Sequence, residues 1–197
     1  MSKKVLLILI ALVCIKNIYA KQIAGDIIFN NDSIVHVTFD IPINFILQEV
    51  NFIEIQQKIK YYNSTNEKFK LKPDEAKEIR FKFKDEDVRM VSCFDNLNLR
   101  DLFSSSKNIF LQLKIDGKLK LYTSYSRSSA PNSGGIVVSN FLLQKEKGDL
   151  FDPGLFFFKK NIKEYLSDCS LLINKIDNGT YARSDIELIV QEYNNCK

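Results

Sequence analysis

Phe110-Leu111-Gln112-Leu113-Lys114-Ile115-Asp116-Gly117-Lys118-Leu119-Lys120-Leu121-Tyr122 decides the fold of this 197-residue chain. Apolar residues alternate with polar ones on both sides of Asp116-Gly117. Asp-Gly between two such runs is the strongest short-range signal of a β-hairpin. The period of two extends outward from there. Val35, Val37 and Phe39 alternate with Ile34, His36 and Thr38; Phe69 and Leu71 with Lys68, Lys70 and Lys72; Phe81 and Phe83 with Arg80, Lys82 and Lys84. Phe52, Ile53 and Ile55 read as strand continuing into Ile59 and Tyr61, and residues 136–143 as a further strand. Such alternation describes an antiparallel sheet with one face in water, which accounts for the lysines. Two stretches interrupt it. Residues 73–77 read as a turn or single helical turn. Residues 123–135, rich in Ser, Pro, Asn and Gly, predict a mobile loop between strands.

Beyond Asp152-Pro153-Gly154 the period changes to 3.6 residues. Leu155, Phe158, Ile162, Tyr165 and Leu166 form one helical stripe. Asp168 is a candidate N-cap for a short helix through Leu171, Leu172 and Ile176, which Asn178-Gly179 ends in left-handed backbone. Ser184 and Glu187 have the spacing of a capping box. They open a helix whose apolar face is Ile186, Ile189, Val190 and Tyr193. Strands first and helices last make an α+β fold. The expectation is an N-terminal antiparallel sheet, or partly open barrel, of about seven to eight strands over residues 21–147, with two to three helices over residues 152–197 on its dry face.

The first twenty residues have the three parts of a secretory signal peptide. Lys3 and Lys4 are the positive end, residues 5–15 are unbroken and apolar, and Ala20 supplies the small residue before the cut. The expected cleavage lies between Ala20 and Lys21, with Ala24/Gly25 as a second site. A retained anchor needs about 20 apolar residues, and Lys16 and Asn17 interrupt the run too early. Acylation at Cys14 is a third reading, against which stands the bulky Val13. No later stretch is apolar for long enough to span a membrane. The rest, residues 21–197, has the length of a single domain and can bury about 70% of its extended surface.

The formal charge of +4 belongs mostly to the leader, since Lys3, Lys4 and Lys16 lie in it and no acidic residue does. The remaining chain has 25 basic residues against 24 acidic ones, so charge gives no reason to expect nucleic acid as partner. Export makes disulfides available to the three cysteines left, Cys93, Cys169 and Cys196. Cys169 and Cys196 each fall at the edge of a C-terminal helix and are the natural pair. They close a 28-residue loop, a constraint worth about 3–4 kcal/mol on the chain-entropy model. Cys93, in the strand-like Met90-Val91-Ser92-Cys93-Phe94, is left as a buried, inert thiol.

No catalytic, cofactor or metal constellation rises above the background. His36 is the only histidine, and a Cys93–His36 dyad lacks any cysteine-hydrolase signature around it. Asp85, Glu86 and Asp87 could serve as a calcium loop or an acid/base pair, but acidic hairpin tips are usually only solvated, and the EF-hand pattern is absent. Ser133-Gly134-Gly135 lacks the Lys-Ser/Thr of a phosphate loop. Asn31-Asp32-Ser33, Asn63-Ser64-Thr65 and Asn178-Gly179-Thr180 match the glycosylation sequon.

Phe157-Phe158-Lys159-Lys160, residues 165–172 (Tyr-Leu-Ser-Asp-Cys-Ser-Leu-Leu) and residues 189–196 (Ile-Val-Gln-Glu-Tyr-Asn-Asn-Cys) resemble the end of a family of uncharacterised exported α+β proteins of Bacteroidota-type bacteria. In these an Asp-Cys pair precedes a short helix and Tyr-Asn…Cys ends the domain. Gly25-Asp26-Ile27-Ile28 and residues 115–122 fit its β-region, and Asp168-Cys169-Ser170 stands where Asp-Cys-Pro is commoner. The resemblance implies an envelope location and a Cys169–Cys196 bond, and no activity. The functional expectation is therefore a secreted, periplasmic or envelope domain that binds an envelope or extracellular protein or glycan through the 123–135 loop. A structural part of an envelope assembly, and an exported hydrolase using carboxylates or Cys93, are the alternatives.

Overall fold

The hairpin at Asp116-Gly117 forms and sits near the middle of a larger sheet. The computed structural model describes residues 18–44, 47–101, 104–128, 136–146 and 148–196. Among these, ten strands make one open antiparallel sheet, accompanied by four helices. In chain order they are β1 (Ile18–Phe29), β2 (Ile34–Asn44), β3 (Glu49–Val50), α1 (Phe52–Gln57), β4 (Ile59–Tyr62), β5 (Lys68–Leu71), β6 (Ala76–Phe83), β7 (Glu86–Phe94), β8 (Asn108–Ile115), β9 (Leu119–Arg127), β10 (Val137–Lys145), α2 (Phe158–Tyr165), α3 (Ser170–Asp177) and α4 (Ile186–Asn195). The sheet order is β10-β9-β8-β7-β6-β1-β2-β4-β5, with β3 against the end of β2. The strands outnumber the seven to eight expected, and the sheet does not close into a barrel.

Two local readings are corrected. Phe52, Ile53 and Ile55 belong to a helix and not to a strand. Six residues with three apolar ones do not distinguish the two by period, and here Ile55 and Gln56 turn inward. Thr123 to Arg127 is the second half of β9 and not loop. Thr123 and Ser124 are buried, and the Ser124 hydroxyl donates to the Asn140 carbonyl across the β9–β10 pair. The rest of that predicted loop, residues 129–135 with Ser133-Gly134-Gly135, lies outside the described residues, as do residues 1–17 of the expected leader. Finally, β1 begins before the expected cleavage site. Ala20 pairs with Pro42 and Lys21 with Ile41.

The sheet curls tightly enough for its strands to share a core. Ile27, Phe39, Ile59, Leu71, Ile79, Met90 and Phe110, from β1, β2 and β4 to β8, form one buried cluster with Ile55 of α1. The register carries that face on through Gln112 and Thr123 to Leu119, Leu121 and Leu143. There the stripes of α2, α3 and α4 bury Phe158, Ile162, Leu172, Ile176, Ile186, Ile189 and Val190. The helices thus cover the dry face, as their periodicity requires. On the other face Cys93, Ile109, Leu111, Leu113, Tyr122 and Leu142 pack under Leu97, Leu99 and Leu150.

The helix ends differ in part from the sequence reading. Gly179, at φ 82°, closes α3 as expected: Thr180 N–H bonds the Lys175 carbonyl and Gly179 N–H that of Ile176, a Schellman motif. Asp168 does not cap α3. Its carboxylate takes the Lys145 ammonium and the Tyr193 hydroxyl instead. Ser184 does not cap α4 either; Asp185 bonds back to Ala182 N–H across a 3₁₀ turn, Arg183–Asp185. Leu155 precedes α2 and is exposed, so it leaves the stripe.

Side-chain carboxamides complete the backbone where strands part. β8 pairs β9 only near Leu121 to Thr123, with a register shift between Leu113 and Ile115. At one end Asn194 of α4 accepts from Leu119 N–H at 2.7 Å and donates to its carbonyl at 3.0 Å. At the other, Gln56 of α1 does the same for Tyr125, at 2.6 and 2.9 Å. Asn96 holds Leu150 in the same way. Gly117 is not among the glycines with positive φ, although Asp-Gly usually marks such backbone. What requires it is space: a Cβ there would lie 2.5–2.8 Å from the Asn194 side chain. Asn194→Ala should destabilise the domain by about 2–3 kcal/mol, the loss of two bonds to a partly buried strand. Gly117→Ala should cost about 1–3 kcal/mol by overpacking, and much less in the Asn194→Ala background. Chemical denaturation of the four proteins measures that coupling.

Candidate functional site

The curl of the sheet leaves an opening at one end, and α1 stands in it. Phe52, on its first turn, stacks on Tyr125 of β9 with ring centroids 4.7 Å apart. The Tyr125 hydroxyl donates to Gln112 Oε1 at 2.5 Å. Burial, with the Glu86 carboxylate adding to it, pushes this phenol up to about 12, so it is a fixed hydrogen-bond donor and not a base. Around the pair lies a groove of about 530 Å³. Val50, Phe52, Phe83 and Val88 give it an apolar floor, while Glu49 and Glu86 face Lys84, Lys114 and Arg127 around its rim. Exposed Leu47 and Val137 extend the apolar surface outward. Arg127 pairs with Val137 at the end of the β9–β10 hairpin, and Tyr125 and Arg127, which line the groove, belong to the 123–135 segment expected to carry binding.

The sequence candidates for chemistry are scattered. The His36 side chain, 87% exposed, pairs with Asp26 on the wet face. Its row of the sheet runs through Asp26 and Arg80 to Arg89, so β7 is three strand spacings away, about 14 Å, and Cys93 lies four positions further along. There is no Cys93–His36 dyad. Cys93 is buried, and burial pushes its thiol up to about 12 against a smaller opposing effect of Tyr122. Lys84 and Asp85 have positive φ and make the turn between β6 and β7; Glu86 and Asp87 start β7. Among the described residues no group of three or more His, Cys, Asp or Glu is arranged to hold a metal ion. Cys169 and Cys196 are at disulfide distance, with Cα atoms 6.2 Å apart.

The three sequons are one structural device. Asn31, Asn63 and Asn178 each accept, through Oδ1, both the N–H and the hydroxyl of the Ser or Thr two residues on. These Asx turns explain the triplets without glycosylation.

The largest charge cluster on the wet face is structural as well. Glu78, 8% exposed, accepts from Arg80 and from Arg89 through both its oxygens. Burial raises the carboxyl's pKa, but the two guanidinium groups outweigh it and hold the value below 4.5. A depressed carboxylate adds stability above its unfolded value and loses it as pH falls through the folded one. Glu78→Gln should therefore cost about 1–3 kcal/mol at pH 7, and the difference from wild type should shrink in unfolding scans taken below pH 4.5.

Comparison with family models, curated proteins and solved structures returns no match. Of the groove residues, Tyr125 and Arg127 fall within residues 123–135, expected to carry binding, whereas Phe52 was read only as strand. Phe52 and Tyr125 are 73 positions apart, and no local pattern joins them. A thiol reagent should leave Cys93 unmodified in the native protein and label it only with global unfolding. Labelling under native conditions would contradict its burial.

Proposed function

We propose that this chain is an exported, non-enzymatic binding domain whose groove at the open end of the sheet takes an extended segment of another envelope or extracellular protein. One observation carries the reading: an apolar floor, Val50, Phe52, Phe83 and Val88, ringed by charges of both signs. A polypeptide supplies apolar side chains and both charges at once. A neutral glycan supplies neither, and the Phe52 and Tyr125 rings stack on each other, so those two faces are not offered to a sugar. The resemblance to exported α+β proteins, the cysteine pair at disulfide distance, and the lack of a described helix long and apolar enough to cross a membrane fit export. A hydrolase gains no support from a thiol pushed up to about 12 or from acidic residues that form a hairpin turn.

A second reading, a fixed component of an envelope assembly, rests on Leu155, Phe156 and Phe157, all exposed, with Phe156 at 95%. Large apolar side chains grouped in water mark a contact surface.

Within β1, cleavage at Ala20/Lys21 is the less disruptive of the two sites. Cutting at Ala24/Gly25 would also remove Ile23, which packs on the core. Intact-mass measurement on protein from the native host should give a chain starting at Lys21, with Cys93 free and Cys169 and Cys196 released only by reduction. Selection from a random peptide library should enrich sequences sharing apolar anchors and both charges, with Lys114→Glu reducing their affinity about tenfold, as for loss of one charge-assisted contact. Enriched peptides indifferent to Lys114→Glu and Arg127→Glu would place binding elsewhere.

A further inference from the structure

A second opening, on the other side of α1, has a different character. Ile59 pairs with Leu71 and Lys60 with Lys70 across β4 and β5. Ile59 and Leu71 face the core, so Lys60 and Lys70 stand directly opposite each other on the outer face, with Lys58 and Lys72 next along the same side. Like charges in that position destabilise a sheet. Lys58, Lys60 and Lys70 make no ion pair among the described residues; Lys60 has Asp40 opposite it on β2, but that carboxylate pairs at 2.7 Å with Lys68, two residues from Lys70.

Across from the lysines lies a built wall. Asp95, its side chain fully buried, accepts the backbone N–H groups of Leu99 and Arg100 and stands 3.5 Å from the Arg100 guanidinium. Arg100 also donates to the Ser106 carbonyl. Asp74 holds the Lys107 and Asn108 N–H groups. Lys72 donates to the Ser105 hydroxyl at 3.0 Å. The result is a cleft of about 600 Å³ in which Lys58, Lys70, Lys72 and Arg100 converge with the Ser104, Ser105 and Ser106 residues, against Asp101 as the one lining carboxylate. Among the described residues no aromatic ring lines it.

We propose that this cleft binds a tetrahedral oxyanion group, phosphate or sulfate. Such a group takes several charge-assisted hydrogen bonds at once and offsets the like charges of Lys58, Lys70 and Lys72 that line the cleft. Arg100, held on two sides, sets the orientation; the flexible lysines adapt to the anion. The site is separate from the peptide groove and stands whether or not that groove binds.

The test is calorimetric titration of the full exported chain with short dextran sulfate, dextran phosphate and neutral dextran of equal length. One or both charged polymers should bind, and whichever does identifies the anion. Lys58→Gln/Lys70→Gln should weaken that binding at least about tenfold, as expected for loss of two charge-assisted contacts. Lys84→Gln/Lys114→Gln, in the groove, should leave it within about twofold of wild type, a difference of under 0.5 kcal/mol. The cleft variant should also unfold at or above the wild-type midpoint, because it removes like-charge contacts. Equal binding by wild type and the cleft variant, equal binding of neutral dextran, or a cleft variant of lowered stability would each overturn the proposal.

Discussion

Two carboxamides, Gln56 and Asn194, hold β9 where its neighbouring strands do not, and a third, Asn96, ties the segment after β10 to the end of β7. Gln56, Asn96 and Asn194 each take both the N–H and the carbonyl of one residue, Tyr125, Leu150 and Leu119 respectively. A primary amide has the donor and acceptor of a peptide group, so Gln56 and Asn194 each act on β9 as one residue of an absent strand. Unpaired backbone is expensive away from water. A sheet whose β8 and β9 pair over only a few residues would otherwise expose β9 at both ends. With the carboxamides in place, β8 and β9 can diverge, and α1 and α4 can enter the gaps. The helical layer and the strand layer are joined at these points by hydrogen bonds as well as by apolar contact.

That divergence also sets the geometry of the core. The N-terminal strands curl about Phe39, Phe110 and Ile55. The C-terminal helices cover the continuation of the same face at Leu119, Leu121 and Leu143. β9 belongs to both regions. Asn194 fixes it to α4, Gln56 fixes it to α1, and β10 pairs with it along its length. Cys169 and Cys196, at the start of α3 and the end of α4, bring the helical ends together beside Lys118, whose ammonium reaches the Cys196 carbonyl.

Most of the strand layout was legible because burial on one face imposes a period of two, and the lysines at 68, 70, 72 and 82 mark the opposite face. The helical stripes and the Gly179 stop were legible for the same reason: each is local. What was not legible depends on distance. The carboxamide pairs span 69, 54 and 75 positions, and Asn or Gln in a sequence gives no sign of its partner. Asp168 has the right residue type for an N-cap, but Lys145 and Tyr193 compete for its carboxylate and win. The start of β1 was hidden for another reason: Ile18-Tyr19-Ala20 serves equally as the end of an export signal and the beginning of a strand.

The most consequential misreading concerns residues 52–57. As strand they would have lengthened the sheet and left its curled end empty. As helix they form the partition between the two openings: Phe52 and Ile53 line the groove, and Gln57 lines the basic cleft with Lys58. Gln56, between them, fixes the partition to β9. The segment has no N-cap side-chain bond and is too short to be stable alone, so tertiary contacts keep it helical. Local preference is overruled here because a strand at this position could not supply Ile55 to the core and Gln56 to Tyr125 while leaving room on both sides. A conflict between local pattern and final structure tends to fall where a protein needs a surface other than a continuous sheet, and in this chain it falls between the two candidate binding sites.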